Sequence, residues 1–355
     1  MFLAYAFPDL LGSIVKGFGV IFVVLNIVPG LIYLERKICA YIQGRVGPNR
    51  VGPAGLLQPI ADAIKLLFKE EIIPRSADRF LYLMGPVLAF LVPASALAFI
   101  PFGPKVDTGS GEIDLRICGV DPGLLMLLAV TSLGVYGIAL GGWASNSKFA
   151  LMGAIRASAQ MISYAVAAEL ALVAIVASTG TADLQKIVAG QIVPLKLGGV
   201  DNTILPNWGI FHQPIAFVIF LCAMFAENNR LPFDLPEAEP ELGAGYHAEY
   251  SGLKFAMFML GEYVAMITMS ALCVTIFFGG WSGPGATSTL VTGWGPAILA
   301  MIYFLAKVVL VLVFYMWVRW TLPRFRYDQL MRLGWKMLVP VGLANLFITG
   351  VLISL

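Results

Sequence analysis

Eight stretches of this chain are apolar enough, and long enough, to cross a bilayer as helices. They run at about 10–34, 80–103, 122–143, 157–179, 211–229, 255–280, 296–320 and 337–355. A hydrocarbon core takes roughly 20 apolar residues per crossing. Lipid offers backbone groups no hydrogen-bond partner, so only helices or a closed barrel can span it. Alternating apolar strands of the kind a barrel needs are absent. A composition of 59% hydrophobic and 12% charged residues, with a mean hydropathy of +0.84, excludes a soluble domain. The expectation is an all-α polytopic membrane protein: one integral membrane domain over 1–355, with eight transmembrane helices.

The charges say which way round it sits. Of the 23 basic residues, 17 lie in the odd-numbered loops or at the span edges those loops touch. The even loops hold only Lys105, Arg116, Lys186 and Lys196, while Lys16 and Lys307 fall inside spans. The positive-inside bias then puts the odd loops in the cytoplasm, or in a mitochondrial matrix, and both termini on the opposite side. Three odd loops carry most of the polar sequence: 35–79, an acidic loop at 227–253 and a basic loop at 319–336. No secretory signal or transit peptide is expected ahead of the first span, which suits a bacterial inner membrane, or a mitochondrial inner membrane if the chain is organelle-encoded. Cys39, Cys118, Cys222 and Cys273 are scattered singly, and the histidines are His212 and His247. Such spacing predicts no metal, haem or iron–sulfur ligation by this chain.

Loop 35–79 opens with Glu35-Arg36-Lys37 and continues through two copies of one turn, Arg45-Val46-Gly47-Pro48-Asn49 and Arg50-Val51-Gly52-Pro53-Ala54. Each proline biases the glycine before it toward extended backbone. The Gly-Lys-Ser/Thr ending of a phosphate loop is missing. From Gln58 to Glu70 the period turns helical, with Leu57, Ile60, Ala61, Ile64, Leu67 and Phe68 on one face. Gln58, Asp62, Lys65 and Lys69 form the other face, and Pro59 fits the first turn. This segment is too short to span and should lie in the interfacial plane. Its pattern alone leaves open whether it serves a site or only rests on headgroups.

Between residues 227 and 250 stand six of the chain's 21 acids: Glu227, Asp234, Glu237, Glu239, Glu241 and Glu249. Carboxylates this close cannot all ionise at their free values, so some should titrate upward. That describes a protonatable cluster beside a bilayer, although a solvated acidic loop has the same composition. Inside the spans, Glu169, Glu262 and Lys307 each cost roughly 2.5–3.5 kcal/mol near the bilayer centre. One reading pairs Lys307 with a carboxylate or a neighbouring subunit. Another runs a polar track from the acidic loop through Glu227 and Glu262 to Glu169, with Gln160, Ser163 and Tyr164 close by. The basic loop either holds an anionic lipid or acidic partner, or simply anchors the chain. The even loops, 104–121 and 180–210, suggest no chemistry, the second having room for a short amphipathic piece.

Several strings converge on one family. Glu35-Arg36-Lys37, Gly44 to Asn49, Gly55 to Ala63, Gly142-Trp143-Ala144-Ser145-Asn146-Ser147, the loop from Glu227 to Tyr250, and Pro323-Arg324-Phe325-Arg326-Tyr327-Asp328-Gln329-Leu330-Met331 all resemble the membrane-embedded H subunit of NADH-quinone oxidoreductase, respiratory complex I. The resemblance runs from the first span to the eighth. It implies a membrane subunit of a proton-pumping enzyme that forms the quinone-access tunnel and couples quinone reduction to proton translocation. By motif, Arg36, Arg45, Asp62, Arg230, Phe233 and Tyr250 would line or gate the tunnel. Glu169, Glu227, Asp234, Glu237, Glu239, Glu241, Glu249 and Glu262 would serve proton coupling. No catalytic residue or metal ligand is implied on this chain alone. Ubiquinone or another quinone would be the bound substrate, with NADH, FMN and iron–sulfur clusters on partner subunits. The partners implied are the hydrophilic-arm subunits of the quinone site, other membrane-arm subunits and membrane lipids, with no nucleic acid. One departure stands out: many relatives place a glutamate after the Ser-Tyr of the fourth span, where this chain has Ala165. Glu169 lies one turn further on the same face. Two alternatives remain at this point, a homologous membrane anchor subunit of a hydrogenase-type complex and a secondary ion transporter, the latter lacking the internal repeat usual for such folds. A passive anchor for a soluble dehydrogenase would leave Glu169, Glu262 and Lys307 as unexplained costs.

Overall fold

A computed structural model describes residues 7–107, 109, 112–197, 200–236, 243–284 and 289–354. In chain order its helices are α1 (Phe7–Ile42), α2 (Gln58–Phe68), α3 (Arg79–Ala96), α4 (Gly123–Ser132), α5 (Gly134–Ala144), α6 (Lys148–Thr179), α7 (Leu184–Ile192), α8 (Gly209–His212), α9 (Pro214–Glu227), α10 (Gly252–Phe277), α11 (Trp294–Thr321), α12 (Tyr327–Leu333) and α13 (Val339–Ser354). The α4–α5 pair stacks end to end at Leu133, and a π-helical turn, Gly334–Leu338, joins α12 to α13. Among the described residues, seven helical stretches are long and apolar enough to cross a membrane. The chain is therefore an all-α, multi-pass membrane protein.

The fifth apolar segment differs from the others. Gln213 breaks it, leaving the single turn α8 and then α9 over Pro214–Glu227. That is about 21 Å of helix, well short of a hydrocarbon core. It need not match the core, because Ala216, Ile219, Phe220, Ala223 and Met224 are buried in protein. Its start is locked to α13: Gln213 donates to Thr349 Oγ1 at 3.0 Å and accepts from Asn345 at 3.2 Å. The first helix departs from expectation in the opposite sense. It runs on through Glu35, Arg36 and Lys37 to Ile42, because partners from far along the chain neutralise the charges that read as its end.

Small residues let α3, α5 and α10 meet closely. A Cβ on Gly261 would run into the Ala89 carbonyl oxygen, and one on Gly137 would stand 2.6 Å from the Ala89 nitrogen. Lipid gives helices no hydrophobic reason to associate, so such backbone approach supplies the packing instead. It also fixes Glu262, the next residue after Gly261.

Among the described residues the even-numbered loops hold five short strands: β1 (Lys105–Asp107), β2 (Glu112–Ile113), β3 (Pro194–Leu197), β4 (Val200–Pro206) and β5 (Leu290–Thr292). They form a sheet in the order β2-β1-β5, with β1 and β5 parallel, and an antiparallel β3–β4 pair. Apart from the seven-residue β4, each is too brief for an alternating pattern to register in sequence. Beside them Arg116 clamps two loops, donating to Asp114 Oδ2 at 2.8 Å and to Asp183 Oδ1 at 2.8 Å. Burial would raise the Asp114 carboxyl, but the Arg116 hydrogen bonds and charge hold it below the usual range.

Candidate functional site

At the odd-loop end, α1, the tandem turns, α2, the start of α10 and the end of α11 enclose a cavity of about 1270 Å³. The turns keep their shape through glycine: Gly55 sits at φ +82°, and a Cβ there would collide with the Pro48 carbonyl. Tyr33 of α1 donates to Ala54 O at 2.8 Å and ties the turns down. The α2 helix forms where the sequence predicts one. Ile60, Ile64 and Phe68 point outward, Phe68 to 87%, while Gln58, Asp62 and Leu67 line the cavity. Arg36 reaches from α1 to Asp62 at 2.5 Å, and Gln58 donates to the same carboxylate at 3.1 Å.

The deep wall of the cavity is ionic. Glu35, 6% exposed, accepts from Arg319 at the end of α11 and from Tyr263 Oη at 2.6 Å, and pairs with Arg230 Nη1 at 3.5 Å. The Arg230 guanidinium lies 4.9 Å from the Tyr263 ring centre and turns Nη2 toward Glu262, 3.4 Å away. Glu262 accepts in turn from Tyr246 Oη at 2.9 Å. Two arginines and two glutamates therefore cancel in charge at a buried junction. Guanidinium suits this place because its planar fork can serve two carboxylates while remaining ionised.

Beyond Glu262 lies a second cavity of about 70 Å³, lined by Glu227, Asn228, Asn229, Tyr246 and Glu262. That is room for a water or two, whose share of liquid volume is about 30 Å³ each. Asn228 donates to Tyr315 Oη at 2.8 Å, which donates to Met224 O at 3.0 Å. Glu227 and Glu169 are near enough to act on each other electrostatically. Three acids thus succeed one another from the large cavity inward, Glu35, Glu262 and Glu227, while Glu169 is half-buried on α6 and lines neither cavity.

The residues expected from sequence divide between the cavity and the structure behind it. Arg36, Arg45 and Asp62 line the large cavity, whereas Arg230, Phe233 and Tyr250, expected to line or gate it, are not among its lining residues. Phe233 stacks on Phe325 at 5.5 Å, and its carbonyl accepts from Gln160 at 2.7 Å, which pins the acidic loop to α6. Tyr250 stacks on Tyr82 at 4.1 Å and donates to Gly141 O at 3.0 Å. Burial pushes its hydroxyl up, so it stays a donor. Asp234 is buried and accepts from Arg324 at 3.0 Å. Burial raises its carboxyl against the pull of Arg324, with Glu262 adding to the rise. The Glu249 side chain is exposed. Glu237, Glu239 and Glu241 lie outside the described residues. His247, beside Tyr246, is held toward its neutral form by burial, opposed by Glu262. Lys307 meets no carboxylate among the described residues. Its ammonium goes to backbone carbonyls instead.

Glu35, Tyr263, Tyr246, Arg319 and Arg324 join the site without having been singled out by sequence. Adjacency is the signal for two of them, since Glu35 precedes Arg36 and Tyr263 follows Glu262. Arg319 carries only the signal of a basic loop, while Arg324 stands in the Pro323–Met331 string without a role assigned to it.

A family model described as NADH dehydrogenase matches residues 15–350. The chain is 46% identical over 323 residues to the first of the numbered H subunits of the NADH-quinone oxidoreductase of Cytophaga hutchinsonii, covering 91% of each chain. It is 47% identical over 341 residues to the H subunit of the same enzyme from Thermomicrobium roseum, covering 96% of each. With the second of the numbered H subunits of Koribacter versatilis the figures are 45% over 362 residues and 98% of each.

Proposed function

From a chain that belongs to the NADH dehydrogenase family, and is a membrane subunit of NADH-quinone oxidoreductase, we propose that the large cavity admits a lipid quinone and that the ionic junction behind it couples quinone reduction to proton movement. The reading as an independent secondary transporter falls away with that membership. One observation carries the proposal. Glu35 belongs to two sites at once, being part of the cavity wall and paired with Arg230, which also pairs with Glu262.

The chemistry runs outward from there. Apolar walls from Val28, Ile32, Ala256, Met259 and Leu260 suit an isoprenoid tail, and Arg36, Arg45, Asp62 and Gln58 at the rim suit a polar head entering from the interface. Two-electron reduction takes up two protons. Negative charge arriving near Glu35 before those protons weakens the hold of Arg230 and Arg319 on that carboxylate and favours its protonation. Arg230 then shifts its weight toward Glu262. The rearrangement passes to the small cavity, where Glu227 and Glu262 exchange a proton through water, and on toward Glu169. A charge moved across the membrane field needs about 2.3 kcal/mol per 100 mV, which quinone reduction supplies. Asp234 with Arg324, Phe233 with Phe325 and Tyr250 with Tyr82 hold the acidic loop in place around this route. Glu237, Glu239, Glu241 and Glu249 would collect protons from the aqueous phase.

The odd-loop face lies in the cytoplasm of a bacterial inner membrane, with both termini periplasmic. It docks the hydrophilic subunits that carry NADH, FMN and iron–sulfur clusters, and other membrane-arm subunits pack along the bundle. The test is to delete the chain and measure NADH oxidation in native membranes with a short-chain quinone and with ferricyanide. Loss of inhibitor-sensitive quinone reduction, restored on complementation while ferricyanide reduction persists throughout, is the expected result. Unchanged quinone reduction with no second NADH dehydrogenase present refutes the proposal and returns the hydrogenase-type assignment.

A further inference from the structure

Helix α10 carries the junction at one end and stops abruptly at the other. Glu262 and Tyr263 belong to its first half; Phe277 ends it, about 21 Å further along the axis. The chain then turns sharply through Gly279 and Gly280, at φ +69° and +52°. A Cβ at Gly280 would meet the Val188 side chain at 2.7 Å, and one at Gly279 would meet Trp208 Nε1 and Ser282 Oγ at 2.5 Å. Larger residues are excluded by both conformation and space.

This unwinding happens at membrane depth. Lys307, which contacts the turn, stands near the midpoint of α11, about 18 Å along the helix from Arg319 at the junction. On α1, Lys16 meets the even-loop face and Glu35 the junction, which sets those two levels about 28 Å apart. Backbone carbonyls released there have no water to turn to. Lys307 takes them up: Nζ donates to Phe278 O at 2.7 Å, Gly280 O at 3.0 Å and Ser282 O at 2.7 Å. An ammonium has three protons to donate, and three carbonyls receive them. The Trp208 ring closes the remaining side at 4.7 Å. Gln191 of α7 completes the hold, donating to Thr275 O at 3.0 Å and accepting from Gly279 N at 2.8 Å and Gly209 N at 3.3 Å.

On the reading of the junction given above, we propose that Lys307 is a positioning residue whose ammonium fixes the broken end of α10 and so keeps Glu262 and Tyr263, at the other end of the same helix, in register with Arg230 and Glu35. The helix is continuous between the two ends, so a slide at one appears at the other. The Arg230 ion pairs, at 3.4 and 3.5 Å, lie at the long edge of contact. A displacement of a few tenths of an ångström is enough to change which glutamate the arginine serves.

The experiment uses the whole respiratory complex carrying Lys307→Met, with Lys307→Arg and Gln191→Leu beside it. Amide hydrogen exchange is followed in peptides covering 258–266 and 274–282, together with kcat and KM for a short-chain quinone. Ferricyanide reduction reports assembly. In Lys307→Met, exchange should quicken in both windows, and kcat should fall at least ~10-fold with KM within about twofold. Lys307→Arg, which keeps the charge without three convergent donors, should recover part of each. Quicker exchange confined to 274–282, with wild-type kcat, makes Lys307 a local cap and overturns the inference. Quicker exchange in both windows with normal quinone kinetics upholds the positioning and instead counts against the proposed role of the junction. Should Lys307→Met fail to assemble, the other two variants decide: wild-type exchange at 258–266 in both overturns it.

Discussion

In the first half of α10 charges are held by other charges; at its far end a single ammonium is held by carbonyl dipoles and an aromatic face, without a carboxylate among the described residues. Glu35, Arg230, Glu262 and Arg319 sum to zero, but each member can gain or lose its partner's attention when a proton arrives. The carbonyls of Phe278, Gly280 and Ser282 have no proton to exchange and offer Lys307 no counter-charge that a proton could remove. The same bilayer therefore contains a responsive site and a fixed one, joined by a helix. Counter-ions can trade protons with one another around a buried charge, whereas carbonyl dipoles cannot.

Removing Glu35 is the harshest way to break this comparison. Glu35→Ala leaves the buried Arg230 with Glu262 alone and the half-buried Arg319 without its carboxylate, a loss of up to about 3–5 kcal/mol for a fully buried pair. Quinone reduction, normalised to ferricyanide reduction in the same membranes, should drop by more than ~30-fold. Near-normal turnover in that variant would mean the junction is packing and nothing more.

The Arg116 clamp on the even-loop face is a milder probe, since it is charge-on-charge but close to water. Asp114 is held below its unfolded value, so the stability it lends is fully present above about pH 4 and is lost as pH falls through the lower folded value. Thermal unfolding of the detergent-solubilised protein should move down a few degrees between about pH 5 and 3, and less so in Asp114→Asn. Equal acid sensitivity in both proteins would rule out the clamp as the cause.

Smaller still is the rim. Arg36 and Asp62 are 45% and 33% exposed, a setting in which ion pairs contribute about 0.2–1 kcal/mol. Asp62→Asn should leave stability unchanged and alter quinone KM by less than about fivefold, the effect shrinking as salt rises. A large loss of kcat would show that Asp62 works beyond the rim. The faintest signal belongs to Asp234. With its carboxyl raised by burial, a protonated C=O band should persist to higher pH than for an ordinary aspartate, and vanish from the infrared titration of Asp234→Asn. A band titrating at the free value would deny Asp234 any place among the raised acids.

Much of the bundle was legible because its grammar is hydropathy. Apolar runs located the helices, and the period of Leu57 to Phe68 gave α2 its face. Where reading failed, the cause was a partner distant in sequence or absent from side-chain chemistry. Glu35-Arg36-Lys37 resembles a helix end because a local window cannot see Arg230, Tyr263 and Arg319 closing on Glu35. Lys307 looks like an uncompensated charge because its partners are carbonyls, which every residue carries; the Gly279-Gly280 pair was the one visible hint. The acid-rich loop read as one cluster, yet Glu227 turns to the small cavity, Asp234 to Arg324 and Glu249 to the exterior.

The link between Glu35 and Arg319 also orders events during synthesis. Glu35 leaves the ribosome with the first helix, and Arg230, Tyr263 and Arg319 follow only later, Arg319 last. Until α11 has entered the membrane the acid lacks the most distant of its counter-charges, and a contact of this sequence separation closes late and slowly. A nascent chain must therefore keep its first helix within reach of water while the other elements are laid down. A chain truncated before Arg319 would retain a buried acid short of one counter-charge.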